Sequence, residues 1–260
     1  MKLNKMEIIE PYPAVYIPKI DAIVIADLHL GYEGIAAEQG MYIPKVQFKK
    51  ELHVLKKIIE KQEARRIIIN GDVKHEFSET SCHEFKEVSD LLEFLKEKFE
   101  EVILIKGNHD NFIARVTKRF DVKLCGELEL GDFYFFHGHK IPEKFSSMKA
   151  EHATVAHEHP AIALFDEIGT KEKISCFLFG EIKGRKITVL PAFSPLAYGS
   201  EVNLIPSSEL LSPVLRATDI EKFRVIGISE ETGCLDFGEL GKLRRSSNIA
   251  VLTSRINRKN

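Results

Sequence analysis

The sequence predicts an α/β fold in which two mixed β-sheets pack as a sandwich that is flanked by helices. Two observations lead to this prediction. In the first 110 residues, short β-branched runs alternate with segments of helical periodicity, which is typical of layered α/β proteins. In the second half, short apolar runs follow one another with few helical stripes between them, so we expect a second sheet in the same domain.

The first half supplies three predicted strands. Each is rich in Ile or Val without polar alternation, which is typical of strands buried on both faces. They are Asp21–Ala26, Arg65–Asn70 and Glu101–Lys106.

Two helices are predicted between these strands. Apolar residues at steps of four, three and four predict the first over Lys45–Lys61, with a stripe of Phe48, Leu52, Leu55 and Ile59. The second is predicted to begin after Ser81, because Ser81 and Glu84 have the spacing of a capping box. Its stripe comprises Phe85, Val88, Leu92, Leu95 and Phe99.

Six further strands are predicted in the second half: Asp132–Phe136, Ala153–Ala156, Ala161–Phe165, Ile174–Ile182, Lys186–Leu190 and Phe223–Ile228. Lys183–Arg185, centred on Gly184, is interpreted as a hairpin loop. Because no Pro/Gly/Ser-rich linker separates the halves, residues 1–240 are predicted to form one domain. Residues 241–260 form a basic tail that either contacts phosphates or is a solvated chain end.

Composition excludes several classes of protein. The 37 Lys plus Arg and 39 Asp plus Glu leave a formal charge of −2, so no overall field favours a polyanion or a membrane surface. The four cysteines form no CxxC pair, and no apolar run is long enough to cross a bilayer. The amino end lacks the apolar core of a signal peptide, so a cytoplasmic location is predicted.

Five polar clusters hold most of the ten histidines: Asp27-Leu28-His29, Gly71-Asp72-Val73-Lys74-His75, Gly107-Asn108-His109-Asp110, His137-Gly138-His139 and His157-Glu158-His159. The first three directly follow predicted buried strands. Residues at the carboxyl ends of parallel strands open into a common crevice, which is where α/β sheets bind ligands. We therefore expect these clusters to meet.

The side chains in these clusters suit divalent metals. Two Asp, one Asn and four His are oxygen and imidazole donors of the kind that bind Mn, Fe or Zn. These donors are too many for one ion. If one carboxylate bridges two ions, each receives about four protein ligands and keeps open positions for water and substrate.

The ordered motifs DxH, GDxxH, GNHD, HGH and HxH resemble those of the calcineurin-like metallophosphoesterase superfamily, and the resemblance extends to about Leu240. The intracellular ICC-like phosphoesterases, which are related to the double-strand-break repair nucleases, look like the most similar branch. The resemblance implies a four-layer αββα fold. It also implies hydrolysis of a phosphate ester by a hydroxide that bridges two metal ions.

The resemblance further implies a role for each residue. The first metal would be bound by Asp27, His29, Asp72 and His159, and the second by Asp72, Asn108, His137 and His157, with Asp72 as the bridge. His109 would stabilise the transition state or protonate the leaving oxygen. Mn²⁺ is the expected ion at both positions, with Fe, Zn, Ni and Co as alternatives.

The chain departs from its relatives at three positions. The phosphoprotein phosphatases of the superfamily carry GDxxDRG, but here His75 and Glu76 replace the second Asp and the Arg. Losing the arginine that would hold a monoester dianion favours a phosphodiester, and GDxxH resembles the motif of the repair nucleases. His75 is then a second catalytic candidate, or else a surface histidine at a helix entry.

Ala156 replaces a glycine, the residue that adopts positive φ at least cost.

The other polar residues near the motifs keep two interpretations each. His139 either contacts substrate or makes supporting hydrogen bonds, and Asp110 either supports His109 or caps the segment that follows it. His53, His83 and His152 belong to no motif and are interpreted as structural.

These observations predict a metal-dependent phosphodiesterase that hydrolyses a nucleotide or nucleic-acid phosphodiester. A phosphomonoesterase acting on a small metabolite and a non-catalytic metal-binding scaffold of the same fold are the alternatives. The expected partner is the phosphoester substrate itself, a nucleotide or nucleic acid, and no membrane partner is expected.

Overall fold

The first of two β-sheets follows chain order. The computed structural model of the chain describes residues 1–246 apart from positions 4, 39, 42, 78–81, 167 and 198, and the side chains at positions 82 and 83 are also outside the description. The sheet contains β1 (Lys2–Leu3), β2 (Met6–Ile8), β3 (Val15–Ile17), β4 (Ala22–Ile25), β5 (Arg66–Ile69), β6 (Glu101–Ile105) and β7 (Lys123–Cys125). Neighbours from β1 to β4 are antiparallel, and those from β4 to β7 are parallel.

The second sheet has the strand order β14-β11-β12-β13-β10-β9-β8, with β15 beside β12 and β16 beside β15. Its strands are β8 (Glu127–Leu130), β9 (Phe133–Phe136), β10 (His152–Val155), β11 (Pro160–Phe165), β12 (Lys171–Ile182), β13 (Arg185–Val189), β14 (Ser200–Glu201), β15 (Arg224–Ser229) and β16 (Gly233–Glu239). β10 is parallel to both β9 and β13. Both sheets are therefore mixed.

The helices cover the outer faces of the sheets. They are α1 (Tyr32–Glu38), α2 (Gln47–Lys61), α3 (Cys82–Lys98), α4 (Ala114–Arg119) and α5 (Pro213–Arg216), and residues 240–246 are also helical. Ile23 and Ile25 of β4 pack toward α2 and α3, whereas Val24 faces the second sheet. This alternation gives the central strands β4, β5 and β6 two buried faces.

An apolar core of aliphatic and aromatic side chains joins the two sheets. Val24, Ile68 and Ile103 from the first sheet pack in one cluster with Phe133 and Phe177 from the second. Tyr134 and Phe136, the alternate residues of β9, face outward into a separate cluster with α5. The layers are thus helix, sheet, sheet and helix, which confirms the predicted fold class.

All nine predicted strands and both predicted helices are present, with ends that differ by at most three residues. The capping box falls partly on Ser81, which lies outside the described residues. Glu84 instead accepts hydrogen bonds from the backbone amides of His75 and Glu76, at 3.1 and 2.7 Å. Phe85 was expected on the buried stripe of α3 but is 37% exposed.

The buried face of α2 is partly polar, which differs from its predicted stripe. Gln47 and Glu51 are buried with Leu55 and Ile58, whereas Phe48 and Ile59 are only partly buried. The first turn of α2 therefore packs polar groups against the interior. Their partners are described with the candidate site below.

The start of the basic tail is anchored to the second sheet's outer layer. The Arg244 guanidinium donates to the carbonyls of Val202 and Ile205 and pairs with Glu221. Positions 255, 258 and 259, which hold the last three basic residues, lie outside the described residues, so the division at residue 240 stays a prediction. No helix within the described ranges is long and apolar enough to span a bilayer.

Stability is expected to fall with acidification because of His152. Burial, with smaller contributions from Lys5 and Lys186, lowers the pKa of His152 from 6.5 to about 4. Between pH 6.5 and about pH 4, His152 is protonated in the unfolded chain but not in the folded one. The free energy of unfolding therefore decreases by up to about 3 kcal/mol as the pH is lowered through this range. A His152→Gln variant should lose less stability than the unmodified chain when urea unfolding is compared from about pH 7 to pH 4.

The control for this prediction is His53→Gln, because His53 is exposed on α2. Its unfolding free energy should follow the same pH dependence as that of the unmodified chain. Parallel curves for His152→Gln and the unmodified chain would contradict the role given to His152.

Candidate metal centre

The five polar clusters follow the ends of five strands and meet at one edge of the sandwich. Asp27, Asp72 and Asn108 come after β4, β5 and β6 of the first sheet, whereas His137 and His157 come after β9 and β10 of the second. The two sheets are joined here through polar groups. The Asn70 amide donates to the carbonyls of Phe136 and Thr154, both at 3.2 Å.

Three predicted ligands of the first metal converge at this edge. Donor atoms of Asp27, His29 and His159 all lie within 4.8 Å of one another. His159 Nε2 lies 3.3 Å from Asp27 Oδ1 and 3.3 Å from His29 Nε2. The backbone amide of His157 donates to Asp27 Oδ2 at 3.2 Å, which links the Asp27 carboxylate to the loop from the other sheet.

Predicted ligands of the second metal form an adjoining group. Donor atoms of Asp72, His137 and His157 also lie within 4.8 Å of one another. His137 Nδ1 lies 3.0 Å from the Asn70 carbonyl, so this nitrogen donates its hydrogen and Nε2 points toward Asp72 Oδ2 at 3.0 Å. Such a hydrogen bond fixes the tautomer in which Nε2 can bind a metal.

These donors fit divalent metals in both chemistry and arrangement. Asp27 Oδ1, Asn108 Oδ1 and His137 Nε2 are buried atoms that make no hydrogen bond among the described residues, although Asp27 Oδ1 and His137 Nε2 lie within ion-pair distance of His159 and Asp72. Buried polar atoms are normally hydrogen-bonded, and a bound cation would satisfy these lone pairs. Carboxylate, amide and imidazole donors match Mn, Fe and Zn. The individual ligand assignments stay predictions.

The ligand loops have an unusual backbone. Among the nine described non-glycine residues with positive φ are five predicted ligands: Asp27 at 57°, His29 at 50°, Asp72 at 51°, His157 at 69° and His159 at 47°. Such conformations are uncommon outside glycine and persist where the surroundings impose them, often at functional sites. Ala156 is not among these residues, so the position where relatives have glycine does not carry the left-handed conformation here.

Two glycines allow the loops to approach closely. A Cβ atom at Gly71, whose φ is 97°, would lie 2.2 Å from His137 Nδ1. A Cβ atom at Gly107 would lie 2.0 Å from Asp72 Oδ1 and 2.5 Å from the Asp72 backbone nitrogen. Because no side chain fits at either position, both glycines are required for the observed placement of Asp72 and His137.

The Asp110 carboxylate holds two of the ligand loops together, a role that the sequence interpretation missed. It accepts hydrogen bonds from the amides of Gly107 and Asp72 at 2.8 Å and from that of Val73 at 2.9 Å. Asp110 is completely buried, and burial together with the Asp72 charge raises its pKa to about 6. Neither predicted role, support of His109 or capping of the following segment, describes these contacts.

Gln47 is a second residue that the sequence interpretation missed. Its Nε2 lies 2.9 Å from the Leu28 carbonyl, 3.0 Å from the His29 carbonyl and 3.0 Å from Ser194 Oγ. Gln47 thus connects the Asp27–His29 loop to the chain that follows β13. A helical Gln looks like a surface residue in a sequence, so no signal identified it.

Charges at the centre shift several pKa values in opposite directions. For Asp27 and Asp72, burial acts to raise the pKa, but the surrounding histidines overcome it and hold both pKa values below the usual range. Burial lowers the pKa of His29 to about 3 and that of His157 to about 4. Burial also opposes protonation of His137, but Asp72 and Asp27 raise its pKa to about 9.

His75 and His109, the predicted catalytic pair, lie beside the first ligand group. Donor atoms of His29, His75 and His109 lie within 4.8 Å of one another, and the rings of His75 and His109 stack at 5.6 Å. His109 Nδ1 contacts the His75 carbonyl, and its Nε2 lies 3.9 Å from Asp72 Oδ2. Nε2 is therefore the His109 atom that faces the centre.

His139 lies next to the second ligand group, where its ring is 5.4 Å from that of His137. It lines a cavity of about 400 Å³ together with His137 and Lys140. Burial and the His137 charge lower its pKa to about 4. Substrate contact by His139 stays a prediction.

Comparison with known proteins identifies the relatives of this arrangement. Residues 21–220 match the family model described as calcineurin-like phosphoesterase. The Pseudomonas putida nuclease MPE shares the fold with a TM-score of 0.57 at 21% identity, covering 83% of this chain and 88% of that chain. No curated protein sequence matches.

Two other solved structures match more loosely. The phosphoesterase YfcE from E. coli matches with a TM-score of 0.35 at 16% identity over 80% of this chain and 88% of that chain. Vps29 from Entamoeba histolytica, complexed with zinc, matches with a TM-score of 0.38 at 15% identity, over 84% of this chain and 99% of that chain. At this level of similarity neither adds to the fold assignment.

Replacing Asp110 by Asn should weaken metal binding. An Asn side chain would turn amide hydrogens toward backbone N–H groups, which costs about 1–3 kcal/mol and displaces the Asp72 loop. The affinity for Mn²⁺ in a calorimetric titration should fall about 10- to 100-fold, as for other groups that orient metal ligands. Asp90→Asn on the exposed side of α3 is the matched control. Equal affinities of the Asp110→Asn variant and the control would contradict the role of Asp110.

Proposed function

The chain belongs to the calcineurin-like phosphoesterase family, and from that premise we propose that it is a dinuclear metal-dependent phosphodiesterase acting on a nucleotide or nucleic acid. The observation that carries this proposal is the convergence of six Asp and His side chains in two adjoining groups, with Asp27, His29 and His159 in one and Asp72, His137 and His157 in the other. A non-catalytic scaffold would not need the complete set of donors.

Each group has a defined task in this proposal. Asp27, His29, Asp72 and His159 would hold one divalent ion, and Asp72, Asn108, His137 and His157 would hold the other. Bound ions would lower the pKa of water and neutralise the phosphoryl oxygens. The positive-φ backbone of the ligand loops and the Asp110 carboxylate keep the donor atoms in place before substrate binds. Little reorganisation of the site is therefore needed during the reaction.

His109 acts on the leaving oxygen. Its Nδ1 contacts the His75 carbonyl, which orients the ring, while Nε2 faces the centre. In that orientation Nε2–H donates a proton to the oxygen that departs from phosphorus. His75 stacks beside it as the second candidate imidazole.

The cavity beside His109 favours a diester over a monoester dianion. Among the described residues, those that line it include His29, His75 and His109 but no lysine or arginine. A monoester dianion is usually clamped by such cations. The nuclease activity named for the Pseudomonas putida relative supports the same preference.

Removing Asp72 or His109 should have distinguishable effects on hydrolysis. With Mn²⁺, Asp72→Asn should lose activity on every phosphodiester, because the bridging position is disturbed. His109→Ala should lose about 10²- to 10⁴-fold in kcat on a dinucleotide, whose alkoxide needs a proton. It should lose much less on bis-p-nitrophenyl phosphate, whose phenolate departs unaided.

The control variant is His53→Ala, which alters an exposed histidine of α2 and should keep full activity. Faster hydrolysis of p-nitrophenyl phosphate than of the bis ester would favour a monoesterase. Undiminished dinucleotide cleavage by both Asp72→Asn and His109→Ala would refute the mechanism.

A further inference from the structure

A second cavity adjoins the candidate catalytic histidines, and part of its lining is apolar. It has a volume of about 300 Å³ and is lined by His29, His75, His109 and His159 and by Tyr32, Leu196 and Leu211, among others. This volume lies at the lower limit for pockets that bind small molecules. The cavity can accept one ring system but not a stacked duplex.

Two aromatic side chains contact the histidines that line this cavity. The Tyr32 ring lies edge-on to His75 with the centroids 4.7 Å apart, and the Phe77 ring lies 3.6 Å from that of His109. Phe77 is 53% exposed and Leu211 is 51% exposed. Large apolar side chains grouped around a polar centre mark a binding surface more often than isolated ones do.

Positive charge is found close to His139, which lines the other cavity. Lys106 and Lys140 are exposed, and both lie close enough to His139 for their charges to act on it. His139, beside these lysines, and His109, beside the apolar and aromatic side chains, thus line different cavities next to the centre. A phosphodiester that crosses the centre has its two substituents in these two different environments.

Resting on the proposed phosphodiesterase activity, we propose that the cavity bounded by Tyr32, Leu196 and Leu211 binds the base of the leaving nucleoside in an unpaired state. A proton donor must lie within hydrogen-bond reach of the leaving oxygen, and His109 lines this cavity. The leaving nucleoside is consequently placed on the aromatic side, where its base stacks. The rest of the substrate lies toward Lys106 and Lys140, which attract its phosphates.

This placement defines the substrate class more narrowly than phosphodiester hydrolysis does. A base in a cavity of this size cannot remain paired, so the substrate is single-stranded or has a frayed or flipped nucleotide at the cleaved position. Simple alkyl diesters lack the group that the cavity binds and should be poorer substrates.

The test compares three substrates with Mn²⁺ present: the dinucleotide thymidylyl-thymidine and its two analogues in which one or the other base is absent. Product analysis shows which nucleoside retains the phosphate and so identifies the leaving nucleoside. Loss of the base on the leaving side should reduce kcat/KM about tenfold or more, chiefly by raising KM, because stacking stabilises the bound base. Loss of the other base should have a much smaller effect.

Substitutions of residues that line the cavity test whether the cavity causes the preference for a base on the leaving side. Tyr32→Ala and Leu211→Ala should cleave the dinucleotide and the leaving-side abasic analogue at similar rates, whereas Tyr32→Phe should keep the preference. The matched control is Ile168→Ala, since Ile168 lies between β11 and β12 and is 84% exposed. This control should behave like the unmodified chain.

The possible failures are distinct. If all three dinucleotides are cleaved equally, the nucleoside subsite is refuted while phosphodiester hydrolysis stands. If bis-p-nitrophenyl phosphate is hydrolysed but no dinucleotide is, the subsite is again refuted. If no diester is hydrolysed with any divalent ion, the proposed function itself fails. A preference that persists in both Tyr32→Ala and Leu211→Ala would show that the base binds elsewhere.

Discussion

The Asp110 carboxylate accepts four backbone hydrogen bonds from two of the ligand loops. The amides of Gly107, Asp72 and Val73 are buried, and an unsatisfied buried amide is costly. This carboxylate therefore fixes the distance between the ends of β5 and β6. The close approach of Gly107 to Asp72 requires that distance to be maintained.

Much of this arrangement could be predicted from the sequence, because it depends on local patterns. Buried β-branched runs identified β4, β5 and β6, and the polar residues directly after them indicated where the loops meet. The strands β1, β2 and β3 were not predicted, since segments of two or three residues show no periodicity. Short elements of this kind form through pairing with neighbours rather than through their own composition.

The parts of the site that could not be predicted are buried polar groups whose partners are distant in sequence. Gln47 and Glu51 resemble the exposed face of a helix, and only the fold shows that Gln47 reaches the Leu28 carbonyl and Ser194. Asp110 was noticed as part of GNHD, but its partner amides at Asp72 and Val73 are far away in the chain. The hydrophobic periodicity of a sequence does not reveal hydrogen bonds between residues that are far apart in the chain.

The predicted metal ligands and the leucines that bound the proposed nucleoside cavity come from different parts of the fold. The ligands follow β4, β5, β6, β9 and β10, whereas Leu196 and Leu211 lie in connections on either side of β14. These connections have no strand register to preserve. Substitutions there could change the preferred substrate without disturbing the metal ligands, so natural selection or directed evolution can diversify specificity while the hydrolytic chemistry is inherited intact.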